Sequence, residues 1–253
     1  MDDKLPKTWQ RPAGPLNVWK IIESTEKLSD GSTRPIRFSI QEVPVDRREE
    51  TIDFMLKYYI PDEPICKSLN CKNDPDMIHD FQVCWKYCLE EGSVEAAYVL
   101  GSDGSIGELV ALNMLYVSSK ANDQKIFQLM DSFKSSKFKA LAKIMLDAKE
   151  TADCSNILGV DEYISAIGLA VATHLRGQKL GLRLLEARSE MGKKFGIKGT
   201  STTFTAKASQ ILATRAGFEE KFSWNYADIL NDDGTPFFPN IETENFKIMT
   251  KKF

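Results

Sequence analysis

The chain has 253 residues, is 42% hydrophobic and 27% charged, and carries a formal net charge of −3 with only two histidines. This is the profile of a globular protein with one good core, not of a disordered or fibrous chain, and the lack of a basic excess argues against nucleic acid as a partner. No apolar run approaches the roughly 20 residues of a membrane span, the opening Met1-Asp2-Asp3-Lys4 does not read as a secretory leader, and five cysteines in such a chain predict free thiols in the cytoplasm.

Residues 1–34 read as an N-terminal arm, irregular through Lys7, Thr8, Pro12 and Pro15 and anchored by Trp9 and Trp19; residues 35–253 read as one domain. Residues 36–43 alternate apolar and polar side chains, the period of a half-buried strand. Asp46 can cap a following helix in which Ile52, Met55, Leu56 and Tyr59 fall on one face. Pro61 stops that helix, and Asp62-Glu63-Pro64 makes the turn after it. A second helix opens at Asp74-Pro75, with a capping side chain and a first-turn proline. Its stripe is Ile78, Phe81, Trp85 and Cys88, and Gly92 ends it.

Residues 94–100 and 106–117 flank Gly101-Ser102-Asp103-Gly104 and predict an antiparallel hairpin. Two short helices are expected within 123–148, then a buried strand over 163–171 and a helix over 180–195. A strand over 200–204, a helix over 206–216 closed by Gly217 and a final strand over 246–253 complete the order, which gives a mixed α/β domain around one central sheet. Cys66, Cys71, His79, Cys84 and Cys88 lie close in sequence. Neither cysteine pair has the spacing of a zinc knuckle, and Cys84 and Cys88 follow the helical period, where cysteine serves as a small core residue. No metal is expected.

The most informative stretch runs from Ile167 to Leu185, IGLAVATHLRGQKLGLRLL. A buried strand passes through a turn containing Arg176, Gly177 and Gly181 directly into an amphipathic helix. A helix start presents unpartnered N–H groups and partial positive charge, and glycines let a phosphate approach the backbone, so the arrangement suits a pyrophosphate. A plain strand-turn-helix connection would look similar. Neither the G-x-G-x-x-G of dinucleotide-binding folds nor the G-K-[ST] of P-loops is present.

This stretch resembles the acetyl-CoA motif of the GNAT superfamily of N-acetyltransferases, [Q/R]-x-x-G-x-[G/A], with Arg176 at the first position and Gly181 at the last. Lys179 stands where the middle glycine is usual. On a backbone at negative φ its side chain would point outward while its N–H faced a phosphate. Gly217-Phe218 after a helix, and the helix-hairpin order before the motif, carry the resemblance over residues 35–253. Within the superfamily, Tyr59-Ile60-Pro61-Asp62-Glu63-Pro64 looks like the Asp-Glu-Pro signature of insect arylalkylamine N-acetyltransferases, the dopamine N-acetyltransferase-like group.

The resemblance implies a mostly antiparallel sheet splayed between its fourth and fifth strands, with the pantetheine arm of acetyl-CoA in the gap. Backbone groups of Leu169, Ala170 and Val171 would meet that arm. Arg176, Gly177, Gln178, Lys179, Leu180, Gly181 and Leu182 would hold the pyrophosphate. It further implies Glu63 as general base, where a carboxylate in an apolar-walled cleft has its pKa raised toward neutrality; without the resemblance Glu63 reads as a turn cap. The superfamily's acid tyrosine is replaced by Ala213. Ser201 and Thr205 match hydroxyl positions of the insect group, and would position the amine or assist the leaving thiolate.

The expected activity is acetyl transfer from acetyl-CoA to a small arylalkylamine such as dopamine, tyramine, octopamine or serotonin, by a monomer without metal. Agmatine, polyamines or another acceptor, a transferase for protein N-termini or lysines, and a non-catalytic acyl-CoA-binding module stand as alternatives.

Overall fold

A computed structural model of the chain describes residues 9–27 and 30–253. The acidic opening, Lys7 and Thr8 lie outside the described residues. In chain order the elements are β1 (Val18–Lys27), β2 (Thr33–Glu42), α1 (Arg48–Tyr58), α2 (Pro64–Ser68), α3 (Pro75–Glu91), β3 (Glu95–Leu100), β4 (Ile106–Ser118), α4 (Lys120–Ser132), α5 (Ser136–Ala152), α6 (Cys154–Leu158), β5 (Tyr163–Val171), α7 (Leu180–Phe195), β6 (Gly199–Phe204), α8 (Lys207–Arg215), β7 (Glu219–Asn225) and β8 (Asn245–Lys252). The strands form a single eight-stranded sheet in the order β1-β2-β3-β4-β5-β6-β8-β7. Every neighbouring pair is antiparallel except β5 with β6. That parallel pair requires a crossover, which α7 supplies. The expected mixed α/β class and mostly antiparallel sheet are both present.

Alternation along the strands sends side chains to two cores. On one face Phe38, Ile40, Val110, Leu180 and Leu184 pack under α7, and Phe204, Ala213 and Phe218 continue that layer at α8. On the other face Met55, Phe81, Trp85, Leu112 and Met114 join α1 and α3 to the sheet, and the same cluster extends to Phe138, Tyr226 and Phe246. Cys66, Cys71 and Cys88 are buried in this second core. All five cysteines are free, and among the described residues no group of three or more His, Cys, Asp or Glu is arranged to hold a metal. No helix among them is long and apolar enough to cross a membrane.

Several local expectations change. Residues 18–27, read as part of an arm, form the edge strand β1, paired with β2 from Val18↔Gln41 to Lys27↔Thr33. An edge strand needs little apolar content; Ile22 is its one core residue here, so the alternation is faint. Ahead of it, Arg11 binds Glu42 through Nε at 3.0 Å and Nη2 at 2.8 Å, which fixes the chain against β2. Asp46 does not cap α1 but lies in a preceding 3₁₀ turn, Val45–Arg47. The two helices expected within 123–148 are longer at both outer ends, starting from caps at Ser119 and Ser135. The sequence period does not announce β7: only Phe222 and Trp224 of its seven side chains pack inward, and Glu219-Glu220-Lys221 hides the alternation.

Candidate active site

The site is built where β5 and β6 part. Their ladder has one registered pair, Ile164↔Thr200. Beyond it the second half of β5 stays paired to β4, through Asn113↔Leu169, Leu112↔Ala170 and Ala111↔Val171, while its other edge has no strand beside it. Leu169, Ala170 and Val171 therefore line an open backbone edge.

Just before them the strand bulges. Pairing steps from Asn113↔Leu169 to Leu115↔Ala166, so β5 spends one residue more than β4. Gly168 takes φ +118° in the bulge, and a Cβ there would lie 2.7 Å from Met55 Cε and 3.1 Å from Tyr59 Cε2. The Ile167 carbonyl accepts the Trp85 indole N–H at 3.0 Å. Trp85 is fully buried, and a buried indole N–H needs such a partner. In the sequence Trp85 is only one member of an apolar stripe; its polar atom is the one signal that could have marked it.

From Val171 the chain turns through a 3₁₀ turn, Thr173–Leu175, into α7. Gly177 has φ +91° with open space around it, so its conformation, not crowding, calls for glycine. Lys179 is the N-cap of α7 at φ 61°, ψ 17°. This corrects the expectation of negative φ: the position is left-handed, which explains why glycine is usual there. Its side chain is exposed and caps nothing, and no side chain caps α7. The N–H groups of Leu180, Gly181 and Leu182 in its first turn thus lack helical acceptors, which is the chemistry of an anion site. Gly181 packs against Leu169, Val171 and Leu212. The Gln178 side chain is held by β1, donating to the Thr25 carbonyl at 3.0 Å and accepting from the Ser24 hydroxyl. Arg176 Nη2 reaches Asp62 Oδ2 at 2.9 Å.

Glu63 is the N-cap of α2; its Oε2 accepts from Cys66 N at 2.7 Å. The turn-cap reading is thus realised. Yet the residue is only 8% exposed, and its buried Oε1 makes no well-formed hydrogen bond among the described residues, with the Thr205 hydroxyl as its polar neighbour. Burial raises the Glu63 carboxyl above its ordinary pKa, opposed by the Cys66 N–H and by the Thr205 hydroxyl beside it. The Thr205 carbonyl accepts the Tyr226 hydroxyl at 3.1 Å. Tyr226 packs on Phe238 and Phe246 at ring separations of 5.0 and 5.6 Å, and burial raises its pKa and that of Tyr59. The fold therefore unites Glu63 with Thr205 and adds Tyr226 and Tyr59. Ser201 is not in this cluster: it sits four residues earlier on β6, roughly 13 Å along a strand, and its hydroxyl donates to Cys154 Sγ at 3.1 Å. Ala213 is a buried residue of α8 and offers no acid.

The architecture matches solved structures closely. A protein of the yellow fever mosquito Aedes aegypti carrying the name arylalkylamine N-acetyltransferase 7 superposes with a TM-score of 0.83 at 27% identity, over 97% of this chain and 99% of its own. The fold is that of the GNAT N-acetyltransferases. The chain resembles the insect arylalkylamine N-acetyltransferases that share this fold. Arylalkylamine N-acetyltransferase 2 of Aedes aegypti shares the fold with a TM-score of 0.73 at 20% identity, over 85% and 98% of the two chains. A polyamine N-acetyltransferase of Drosophila melanogaster that forms N-acetylagmatine does so with a TM-score of 0.68 at 18% identity, over 85% and 100%. No protein-family model and no curated protein sequence matches the chain. In this GNAT frame the splayed strands are β5 and β6, and the uncapped α7 stands at the mouth of their gap.

Proposed function

We propose that the chain transfers the acetyl group of acetyl-CoA to the primary amine of a small arylalkylamine. The observation that carries this reading is Glu63 Oε1, a buried carboxylate oxygen without a well-formed hydrogen bond among the described residues, held in a cluster with Thr205 and Tyr226 at the end of the splayed strand. Unpaired buried carboxylate is costly, and an ammonium or a water carrying its proton would satisfy it. Acetyl-CoA supplies the thioester. Arg176 and the first-turn N–H groups of α7 hold its pyrophosphate, with Gly177, Gln178 and Lys179 shaping the turn, and the free edge Leu169–Ala170–Val171 receives the pantetheine amides.

Glu63 takes a proton from the bound ammonium, directly or through water, and the freed amine attacks the thioester carbonyl. A backbone N–H at the Gly168 bulge polarises that carbonyl. Thr205 orients the amine, and Ser201 supports β6 through Cys154. The departing CoA thiolate, with a thiol pKa near 8.5, leaves without strong acid help. The Asp-Glu-Pro signature and the likeness to arylalkylamine N-acetyltransferases favour an aromatic amine over agmatine or a polyamine, and Tyr226, backed by Phe238 and Phe246, forms aromatic packing behind Thr205. A monomer suffices, since every group named belongs to one chain, and five free thiols suit the cytoplasm. A steady-state screen of arylalkylamines, agmatine and polyamines with acetyl-CoA, followed by thiol release, tests the reading. The highest kcat/KM is expected for an arylalkylamine; no thiol release with any amine would overturn it.

A further inference from the structure

Arg188 lies on α7 beneath the β5–β6 gap and is 1% exposed. A buried guanidinium is costly to desolvate, and an apolar side chain of similar volume would often serve a core as well or better. What distinguishes this one is the set of strands that it joins. Its Nη1 donates to Thr200 Oγ1 at 3.0 Å and to Thr202 Oγ1 at 2.8 Å, both on β6. On the other side it meets Asn113 of β4. With the Asn113 amide turned so that both its ends are satisfied, the oxygen accepts from Arg188 Nη2 at 3.1 Å and Nε at 3.2 Å, and the nitrogen donates to the Gly168 carbonyl at 3.2 Å. Thr200 in turn donates to the Ile164 carbonyl at 2.7 Å. Glu95, buried on β3 opposite Asn113, is the acidic group that faces this guanidinium.

This network spans the place where the backbone ladder stops. After Ile164↔Thr200 no strand pairing fixes the distance between β5 and β6. The planar fork of one arginine ties two β6 hydroxyls to the β5 bulge instead, a geometry that lysine's single ammonium does not reproduce. We infer that Arg188 is a positioning residue that sets the width of the β5–β6 gap and the seat of the bulge, and thereby the affinity for the thioester-bearing arm. The inference rests on the reading of that gap as the acetyl-CoA groove. Arg188 touches no reacting atom. It acts through Thr202 and Asn113, on the opposite face of the sheet from Glu63.

The test uses the full chain, acetyl-CoA and one accepted amine. Arg188→Met keeps the packing volume and removes every tie; Arg188→Lys keeps the charge without the fork; Thr202→Val removes one bond at unchanged shape. A misplacement of order 1 Å in a groove can cost up to about 100-fold, so KM for acetyl-CoA is expected to rise about tenfold or more in Arg188→Met and Arg188→Lys and several-fold in Thr202→Val. The amine KM should stay within about twofold, a split that general loss of structure would not produce. Where Arg188→Met does not fold, Thr202→Val decides. An unchanged acetyl-CoA KM in that variant, or equal rises in both KM values, overturns the clamp while wild-type binding stands. Failure of the wild-type chain to bind acetyl-CoA by calorimetry overturns the groove reading itself, and the clamp with it.

Discussion

The Arg176 guanidinium and the Asp62 carboxylate meet at 2.9 Å across 114 residues of sequence, joining the turn before α7 to the turn before α2. The residue proposed to hold the pyrophosphate thus contacts the sequence neighbour of the proposed base. Both partners are about half exposed, with side-chain exposures of 46% and 56%. An exposed pair of this kind is worth about 0–1 kcal/mol. Asp62→Ala is therefore expected to leave the melting temperature nearly unchanged. Arg176→Ala should weaken acetyl-CoA roughly tenfold or more, because a charge-assisted hydrogen bond contributes about 1.5–3 kcal/mol, and should affect the amine less. Calorimetric titration with each ligand checks both variants.

Glu63→Ala should lower kcat/KM about 10²–10⁴-fold at nearly unchanged acetyl-CoA affinity. The wild-type rate must rise with pH as the carboxyl ionises, and because burial raises this group, the rise lies above the range of an ordinary glutamate. The variant should lack that ionisation and retain a rate that climbs further as free amine becomes available. A pH profile of kcat/KM for both proteins decides; a variant of near-normal rate would leave Glu63 as the cap of α2 alone.

Lys179→Gly relieves a left-handed non-glycine residue, a gain of about 1–2 kcal/mol that the freer unfolded chain offsets by about 0.4–1 kcal/mol. Thermal melts should show equal or slightly higher stability. Acetyl-CoA should bind as well or more tightly, since the backbone at the α7 start becomes more open to a phosphate. Marked loss of affinity would instead show the lysine ammonium to be a ligand in its own right.

Gly168→Ala puts a methyl group against Met55 and Tyr59 at a φ that L-residues rarely adopt. It should destabilise the chain by about 1–3 kcal/mol and reduce acetyl transfer more than proportionately. Trp85→Phe leaves the Ile167 carbonyl without its donor, at about 1–3 kcal/mol. Chemical denaturation alongside steady-state rates separates the two effects.

Glu95 and Glu91 are both buried carboxyls that burial pushes up to about 8. A raised folded pKa means that the native state holds protons more tightly than the unfolded chain. The associated stability is complete below the ordinary glutamate pKa and is lost as pH rises toward 8. Stability should therefore fall between about pH 4.5 and 8, and Glu95→Gln should flatten part of that slope in denaturant titrations.

Much of this protein was legible in the order of its residues, for local physical reasons. Apolar period placed α3, α7, β4 and β5; the caps and glycines around Asp74, Gly92 and Gly217 bounded their helices; and the Arg176–Gly181 turn marked the start of α7, where a few consecutive N–H groups are left without helical acceptors. Asp-Glu-Pro pointed to Glu63 by resemblance. What the sequence could not convey is set by contacts between distant elements. β1 and β7 are edge strands with one-sided packing and weak alternation, so only pairing with β2 and β8 defines them. The sign of φ at Lys179 follows from how the turn meets α7, and it reversed the expectation. Trp85 reads in the sequence only as one member of an apolar stripe, and nothing there marks Tyr226 or Arg188; folding shows which atom each one holds: the Ile167 carbonyl, the Thr205 carbonyl and the hydroxyls of β6. A buried polar group announces itself only through its partner, and partners far apart in sequence become neighbours only in the tertiary structure.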